Sequence, residues 1–472
     1  MTPRRKTMAP QRGTMTPQRV TMAPQRVTMT PQRVTMTPQR GVAALTVVMV
    51  LFFVMALVAA YTNRNLVFEQ RISANSYRAT RALEAADAGV EWTIAMLNAG
   101  RVTADCTPPD VAAAAAFTDF RSRYTVPSAN DSNGEGAFDV PWGQVPANRI
   151  YPVCIIADGA PTCRCPAMGE APAALAGPAD TAVSAFRITF RLFDDDTVRG
   201  GAMQFVSRGC ANPGSAATAC TAQADTTPVV DGSTTVITTV GLVRALPVAP
   251  KAALTAGTTV TATAPGALLV ANGDLATGLT VHAGDAITPS AGSRFEGPAG
   301  SGSDGVVFPD TALQALTTPA QQAQQGWFRA LFVLDTGSYQ RQPAVVRLNC
   351  AAGCTRTDLA NALLLNPRNP IWAEGNLDID AAGDLGSAAD PMMLIVSGTL
   401  TVSANATVRG FAHANAVNLS APALAWDGAL VSATAVNVTV GVATLRYDKA
   451  MLDTIRLRYG SFVRAPGGWN LF

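Results

Sequence analysis

Val42–Tyr61 reads VAALTVVMVLFFVMALVAAY and carries no charge. A run of that length and character matches the ~20 residues a helix needs to cross a bilayer. Eight basic residues precede it with no acid among them: Arg4, Arg5, Lys6, Arg12, Arg19, Arg26, Arg33 and Arg40. By the positive-inside rule the N-terminus stays cytoplasmic and the bulk of the chain is exported. An ordinary anchor or a signal peptide is the simpler alternative. A cleaved signal has a shorter apolar core and a small-x-small site, and a plain anchor does not account for the residues that follow.

From Thr62 to Leu97 there is no proline and a single glycine, Gly89. Ile72, Ala79, Leu83, Ala86, Val90, Ile94 and Leu97 fall three, four or seven apart, which predicts one apolar helical stripe. Glu69, Arg71, Arg78, Arg81, Glu84 and Glu91 occupy the other face, and Asn98-Ala99-Gly100 is a stop signal. The expectation is one helix of ~55 residues, ~80 Å long at 1.5 Å per residue. Gln39-Arg40-Gly41, Glu69-Gln70-Arg71-Ile72 with Asn75, and Leu83-Glu84-Ala85-Ala86-Asp87-Ala88-Gly89-Val90-Glu91 resemble the N-terminal helix of type IV pilins, and more narrowly that of PilX-type minor pilins.

Residues 1–41 contain seven-residue repeats, TMAPQRG, TMTPQRV, TMAPQRV, TMTPQRV and TMTPQRG, beginning at Thr7, Thr14, Thr21, Thr28 and Thr35. A proline in each unit excludes a continuous helix or strand. A basic tail for anionic lipid or nucleic acid is one reading. The preferred one is a tandem DNA repeat read from a start codon placed too early, with Met36–Gly41 as the short basic leader that the resemblance implies.

All eight cysteines, Cys106, Cys154, Cys163, Cys165, Cys210, Cys220, Cys350 and Cys354, lie beyond the apolar run. An even number on the exported side suits disulfides. Zinc is the rival, but Cys163-Arg-Cys165 and Cys350-Ala-Ala-Gly-Cys354 lack the usual two-residue spacing, and the chain has two histidines. Cys210–Cys220 and Cys350–Cys354 are the natural local pairs; pairing among Cys106, Cys154, Cys163 and Cys165 stays open. Removing the eight leading positive charges from 35 leaves 27 basic against 33 acidic residues. A mildly acidic remainder argues against a nucleic-acid partner.

The ~370 residues beyond the helix suffice for two domains. Residues 99–182, rich in Ala, Pro and Gly, read as an irregular stapled region. Ala185–Phe193 alternates as a strand, with Phe186, Ile188, Phe190 and Leu192 on one face and Arg187, Thr189 and Arg191 on the other. Asp194-Asp195-Asp196 reads as a solvated turn, with calcium as the alternative. Gly201–Arg208 and Thr234–Arg244 supply further strands, predicting an antiparallel sheet on the helix.

After Pro247 charge thins and a period emerges. Leu394–Ser397 with Leu400–Ser403, Phe411–Ala414 with Val417–Ser420, and Ala429–Ser432 with Val436–Thr439 recur every 17 to 19 residues. Ile371–Asp380 is an earlier copy; Leu268–Leu275 with Leu279–His282 is a more distant one. Short strands at a fixed period predict a solenoid with parallel β-helix rungs, in preference to a meander or jelly roll. Phe308–Arg368 reads as an insertion, with an amphipathic helix over Thr311–Leu331 and a second starting at Cys350–Cys354 and running through Leu365. A last short helix runs from Tyr447-Asp448 to Arg458. The last ~230 residues more loosely resemble the C-terminal region of large PilX-like pilus assembly proteins, a span that allows a domain of its own.

Catalytic signals are sparse. His282 and His413 sit in alternating strands and read as satisfied structural histidines; Gly300–Gly305 is a loop with no strand-turn-helix frame. Neither a Walker-type loop nor His-Glu-x-x-His occurs. The rung acids Asp378, Asp380, Asp384 and Asp427 are scattered, so a tethered polysaccharide enzyme is the lesser alternative.

The expected class is α+β: a long N-terminal transmembrane pilin helix, an antiparallel β head and a C-terminal β-helix-like solenoid. Expected boundaries are 1–41 leader, 42–98 helix with its transmembrane half at 42–61, 99–247 stapled region and head, and 248–472 solenoid with insertion 308–368. The resemblance implies a minor pilin, not an enzyme, with no cofactor and no metal. It implies cleavage by a prepilin peptidase after Gly41 and N-methylation of Val42. Thr46 takes the fifth mature position, where most pilins have glutamate. Implied partners are other minor and major pilins, the peptidase, the inner-membrane assembly platform and a tip adhesin, with no nucleic acid. The implied location is single-pass in the bacterial inner membrane with a periplasmic head, then the pilus. A large minor pseudopilin of a type II secretion system is the runner-up.

Overall fold

Freed of proline from Gly41 onward, the N-terminal segment is helical without a break from Arg40 to Asn98. The structure, a computed structural model, describes residues 40–128, 136–141, 150–167, 170, 175, 183–191, 200–211, 232–300 and 304–471. The heptad units up to Gln39, the acidic turn Asp194–Asp196 and Cys220 lie outside the described residues. The chain divides into one unit up to Gln70 and a second from Arg71 to Phe472.

Within the second unit one face of the helix is covered. Ala82, Ala85, Ala86, Val90, Met96 and Leu97 are buried. Leu83 and Ile94 pack half-buried against the same core, while Ile72 and Ala79 of the predicted stripe stay exposed. The buried face is displaced toward the small residues. A Cβ on Gly209 would lie 2.1 Å from the Ala82 carbonyl oxygen, and one on Gly89 would lie 2.3 Å from Ser207 Oγ. Helix and sheet therefore meet backbone to backbone, which only small side chains permit.

The covering sheet has six strands in the spatial order Gly460–Leu471, Ser233–Arg244, Ala202–Ala211, Ser184–Arg191, Val153–Ala157 and Ala160–Arg164. Every neighbouring pair is antiparallel. Phe186, Ile188, Phe190, Phe205, Val236, Val240 and Phe462 form its core beneath the helix. Arg187, expected on the solvent face, is buried, its guanidinium 4.9 Å from the Tyr151 ring centroid. The described residues of 99–182 supply two of the six strands, Val153–Ala157 and Ala160–Arg164, where the composition suggested little regular structure. The last strand also departs from the expected boundaries. Residues 460–471 leave the C-terminal region and pair with Ser233–Arg244.

The remaining strands form a curled, parallel sheet with three ladders. One joins Ile371–Ala373, Leu394–Val396, Ala412–Ala414, Leu430–Ser432, Leu254–Ala256 and Val281–Ala283. A second joins Leu377–Ile379, Leu400–Val402, Val417–Leu419, Val436–Val438 and Val260–Ala262. A third joins Gly383–Leu385, Ala406–Val408, Leu424–Trp426, Ala443–Leu445 and Leu268–Val270. Phe411–Ala414 with Ala429–Ser432, and Leu400–Val402 with Val417–Leu419 and Val436–Val438, pair as the sequence period aligned them, but Leu394 falls opposite Ala412 rather than Phe411, one residue off, because the ladder shifts register between Val396 and Thr399. Spatial order differs from chain order: Leu430 pairs with Leu254, so the latest rungs close onto the earliest.

The expected helix over Thr311–Leu331 is instead a set of short helices, Thr311–Ala315, Pro319–Ala323, Gly326–Phe332 and Thr336–Gln340. Pro319 lacks the N–H needed to continue a helix, and Gln325 has a left-handed φ of 57°. Val346–Thr355 pairs in parallel with Ile371–Ile379 and belongs to the curled sheet rather than to an insertion. The next helix begins at Arg356, not Cys350, with Thr355 and Asp358 forming its capping box.

Candidate functional site

The apolar half of the long helix is the chain's most unusual surface. Thirteen large side chains between Leu45 and Tyr61 are each more than half exposed, Phe52 at 75%. Burying such side chains is worth ~1.5–3 kcal/mol each, ~20–40 kcal/mol for the set, which exceeds the ~5–15 kcal/mol stability of a typical protein. A surface this apolar requires lipid or another apolar partner. Among the described residues it is the one helix long and apolar enough to cross a membrane.

Gly41 and Val42 lie in the first turn of this helix. Thr46 follows one turn later and is exposed. Thr62, further along, donates its hydroxyl to the Val58 carbonyl at 2.9 Å, which is how a helical threonine satisfies itself without a partner chain.

Where the long helix ends, three buried polar side chains tie it to distant parts of the chain. Asn98 donates to the Phe462 carbonyl at 2.9 Å and accepts from the Phe462 N–H at 2.8 Å. Asn369 donates to the Asn98 carbonyl at 2.9 Å. Arg121 donates to the Gly460 carbonyl at 2.6 Å and to the Leu97 carbonyl, and its guanidinium lies 4.9 Å from the Phe462 ring centroid. Burial pulls the Arg121 pKa down to about 10, so it stays cationic at neutral pH and suits the negative end of a helix. Asn98 announced itself as a helix stop. Arg121 lies in a segment with no sequence signal for such a role.

The cysteines are placed as staples. Cys106 is bonded to Cys165, Cys154 to Cys163, and Cys350 to Cys354. The last is one of the two expected local pairs. Cys210 is disulfide-bonded; its expected partner Cys220 lies outside the described residues. Cys154 and Cys163 sit directly opposite each other on paired strands.

The two histidines differ. His282 Nε2 lies 2.7 Å from Asp310 Oδ2, and that bond holds the Asp310 carboxyl below its ordinary pKa. His413 does not fit the expected satisfied histidine: it is buried, and neither ring nitrogen has a hydrogen-bond partner among the described residues. Phe328 and Phe332 pack edge-on against its ring. Among the described residues no group of three His, Cys, Asp or Glu side chains is placed to hold a metal.

Residues 40–91 match the model of the PilX N-terminal family. No curated protein and no solved structure matches the chain.

Proposed function

We propose, from the premise that this chain is a type IV pilin-like protein with a PilX-type N-terminal segment, that it is a minor pilin acting in pilus assembly. The carrying observation is that the family match covers the same helix whose apolar half is exposed. In this reading the segment is first a membrane anchor, with the head in the periplasm of a bacterium, and then packs against the helices of other pilins. The antiparallel sheet is the pilin head. The curled sheet, read as a β-helix-like solenoid, presents a surface for contact. A prepilin peptidase removes the leader after Gly41, and Val42 becomes a methylated N-terminus. The chain is a structural subunit and performs no catalysis.

Thr46 suggests its place. A glutamate at this position, buried in lipid, is relieved by pairing with a neighbour's terminal amine. Threonine makes no such pair, so this subunit offers its own amine but seeks none. Such a one-ended subunit belongs at or near the tip, in few copies. Gold-labelled antibody to the head on sheared pili tests this; even, high-copy label along the shaft contradicts it. Deletion separates the two secretion-related readings. Loss of pili and twitching supports the minor pilin, whereas loss of exoprotein secretion alone identifies a type II pseudopilin.

A further inference from the structure

The strands of the first parallel ladder are buried on both faces. Leu394, Val396, Ala412 and Leu430 point into the sheet's interior core. Trp372, Ile395 and Val431 belong instead to a second core on the other face, and His413, in register with them, packs against its Phe328 and Phe332 rings. The short helices between Thr311 and Gln340 cover that face through Trp327, Phe328 and Phe332.

The cover is incomplete. Between it and the ladder lies a cavity of about 590 Å³, many times the ~30 Å³ share of a water molecule and within the ~300–1,000 Å³ of small-ligand sites. Trp327, Phe328, Trp372 and His413 are among its walls. Trp327 Nε1, Trp372 Nε1 and both His413 ring nitrogens are buried with no hydrogen-bond partner among the described residues. These three side chains are 8%, 2% and 6% exposed. An unpaired buried polar group costs ~1–3 kcal/mol, and native proteins hold few of them. All three side chains border this one cavity.

The remaining lining narrows its chemistry. Gln340, Ser397, Asn415 and Thr434 contribute amides and hydroxyls. Glu374 is the one charged side chain in the lining, and Arg347, outside the cavity, binds its Oε2 at 2.8 Å. With no cation among the lining residues, an anionic ligand has no counter-charge. We propose that this cavity binds a neutral saccharide, with sugar C–H faces against the aromatic walls and hydroxyls on the lining amide and hydroxyl groups. Flat aromatic faces suit the apolar side of a sugar ring, and donors paired with acceptors suit its hydroxyls. Burial pushes the His413 pKa down to about 4, so the ring is neutral at physiological pH and has one donor and one acceptor. This inference does not depend on the pilin reading.

The test is isothermal titration calorimetry of the full chain in a detergent without a sugar headgroup. The probes are linear trisaccharides of glucose and of N-acetylglucosamine, with trigalacturonate as the anionic comparison. Saturable binding of at least one neutral trisaccharide, and none of trigalacturonate, is expected. Gln340→Ala, at the half-buried rim, weakens it about tenfold, ~1.4 kcal/mol, with the near-UV circular dichroism unchanged. Asn415→Ala, an exposed amide in the same lining, weakens it in the same direction. Absence of binding by both neutral probes, equal binding of trigalacturonate, or affinity untouched by both variants overturns the proposal.

Discussion

Asn98 and Phe462, 364 residues apart, exchange two hydrogen bonds: the side-chain amide of one pairs with the backbone of the other as a strand would. The last residue of the long helix thereby fixes the last strand of the antiparallel sheet. Asn98→Ala leaves the buried Phe462 N–H and C=O without partners, at ~1–3 kcal/mol each. The expected loss is about 2–5 kcal/mol. Hydrogen exchange at the Phe462 amide reads it locally, and protection equal to wild type would remove the clamp from this account.

Gly209 sets how closely helix and sheet approach. A Cβ there meets the Ala82 carbonyl oxygen at 2.1 Å and the Ala86 nitrogen at 2.4 Å, both backbone. Gly241, on the neighbouring strand, has nothing within 4 Å of its Cβ position. Gly209→Val is expected to destabilise by about 3 kcal/mol as an overpacking change, whereas Gly241→Val stays within ~0.5 kcal/mol. Urea midpoints of the two variants, measured side by side, check the contrast.

The disulfides rank by the loops they close. Cys106–Cys165 spans a separation of 59, Cys154–Cys163 of 9 and Cys350–Cys354 of 4. Chain entropy assigns them about 4, 3 and 2 kcal/mol respectively. Paired Cys→Ala variants are expected to lose thermal stability in that order, and an inverted order would show that packing around the sulfurs outweighs loop closure.

How much of this was legible in the sequence varies by range. The helix, its charge-free half and the 17–19-residue strand period are local patterns. Phe411–Ala414 and Ala429–Ser432 consequently fall in register as read, whereas Leu394 lands opposite Ala412, one residue from the reading. Long-range closure is not local. Nothing near Leu430 indicates that its next neighbour is Leu254 rather than a later residue, nor that residues 460–471 return to Ser233–Arg244. The cavity had a partial signal, since Trp372, Ile395 and His413 put apolar or aromatic groups where an uncovered strand would be polar. Arg121 had none, because what it binds is backbone, which any sequence supplies.

His413 makes stability acid-sensitive. Its folded pKa of about 4 lies below the ordinary 6.5, through burial. The unfolded chain therefore binds the extra proton first, and stability falls as pH drops from about 6.5 to 4. A shift of that size corresponds to about 3 kcal/mol. His413→Leu is expected to flatten this part of the pH profile relative to wild type in urea unfolding at pH 7 and pH 4.5; parallel profiles would exclude His413 as the source.

The proposed pilin role rests on processing after Gly41. Mass spectrometry of the N-terminus, on chain recovered from cells with a working prepilin peptidase, tests it most directly. A mature chain beginning at methylated Val42 is expected, as is a Gly41→Glu variant that stays uncut. A Gly41→Glu chain still shortened to Val42, or a wild-type chain that keeps Gly41, would contradict it.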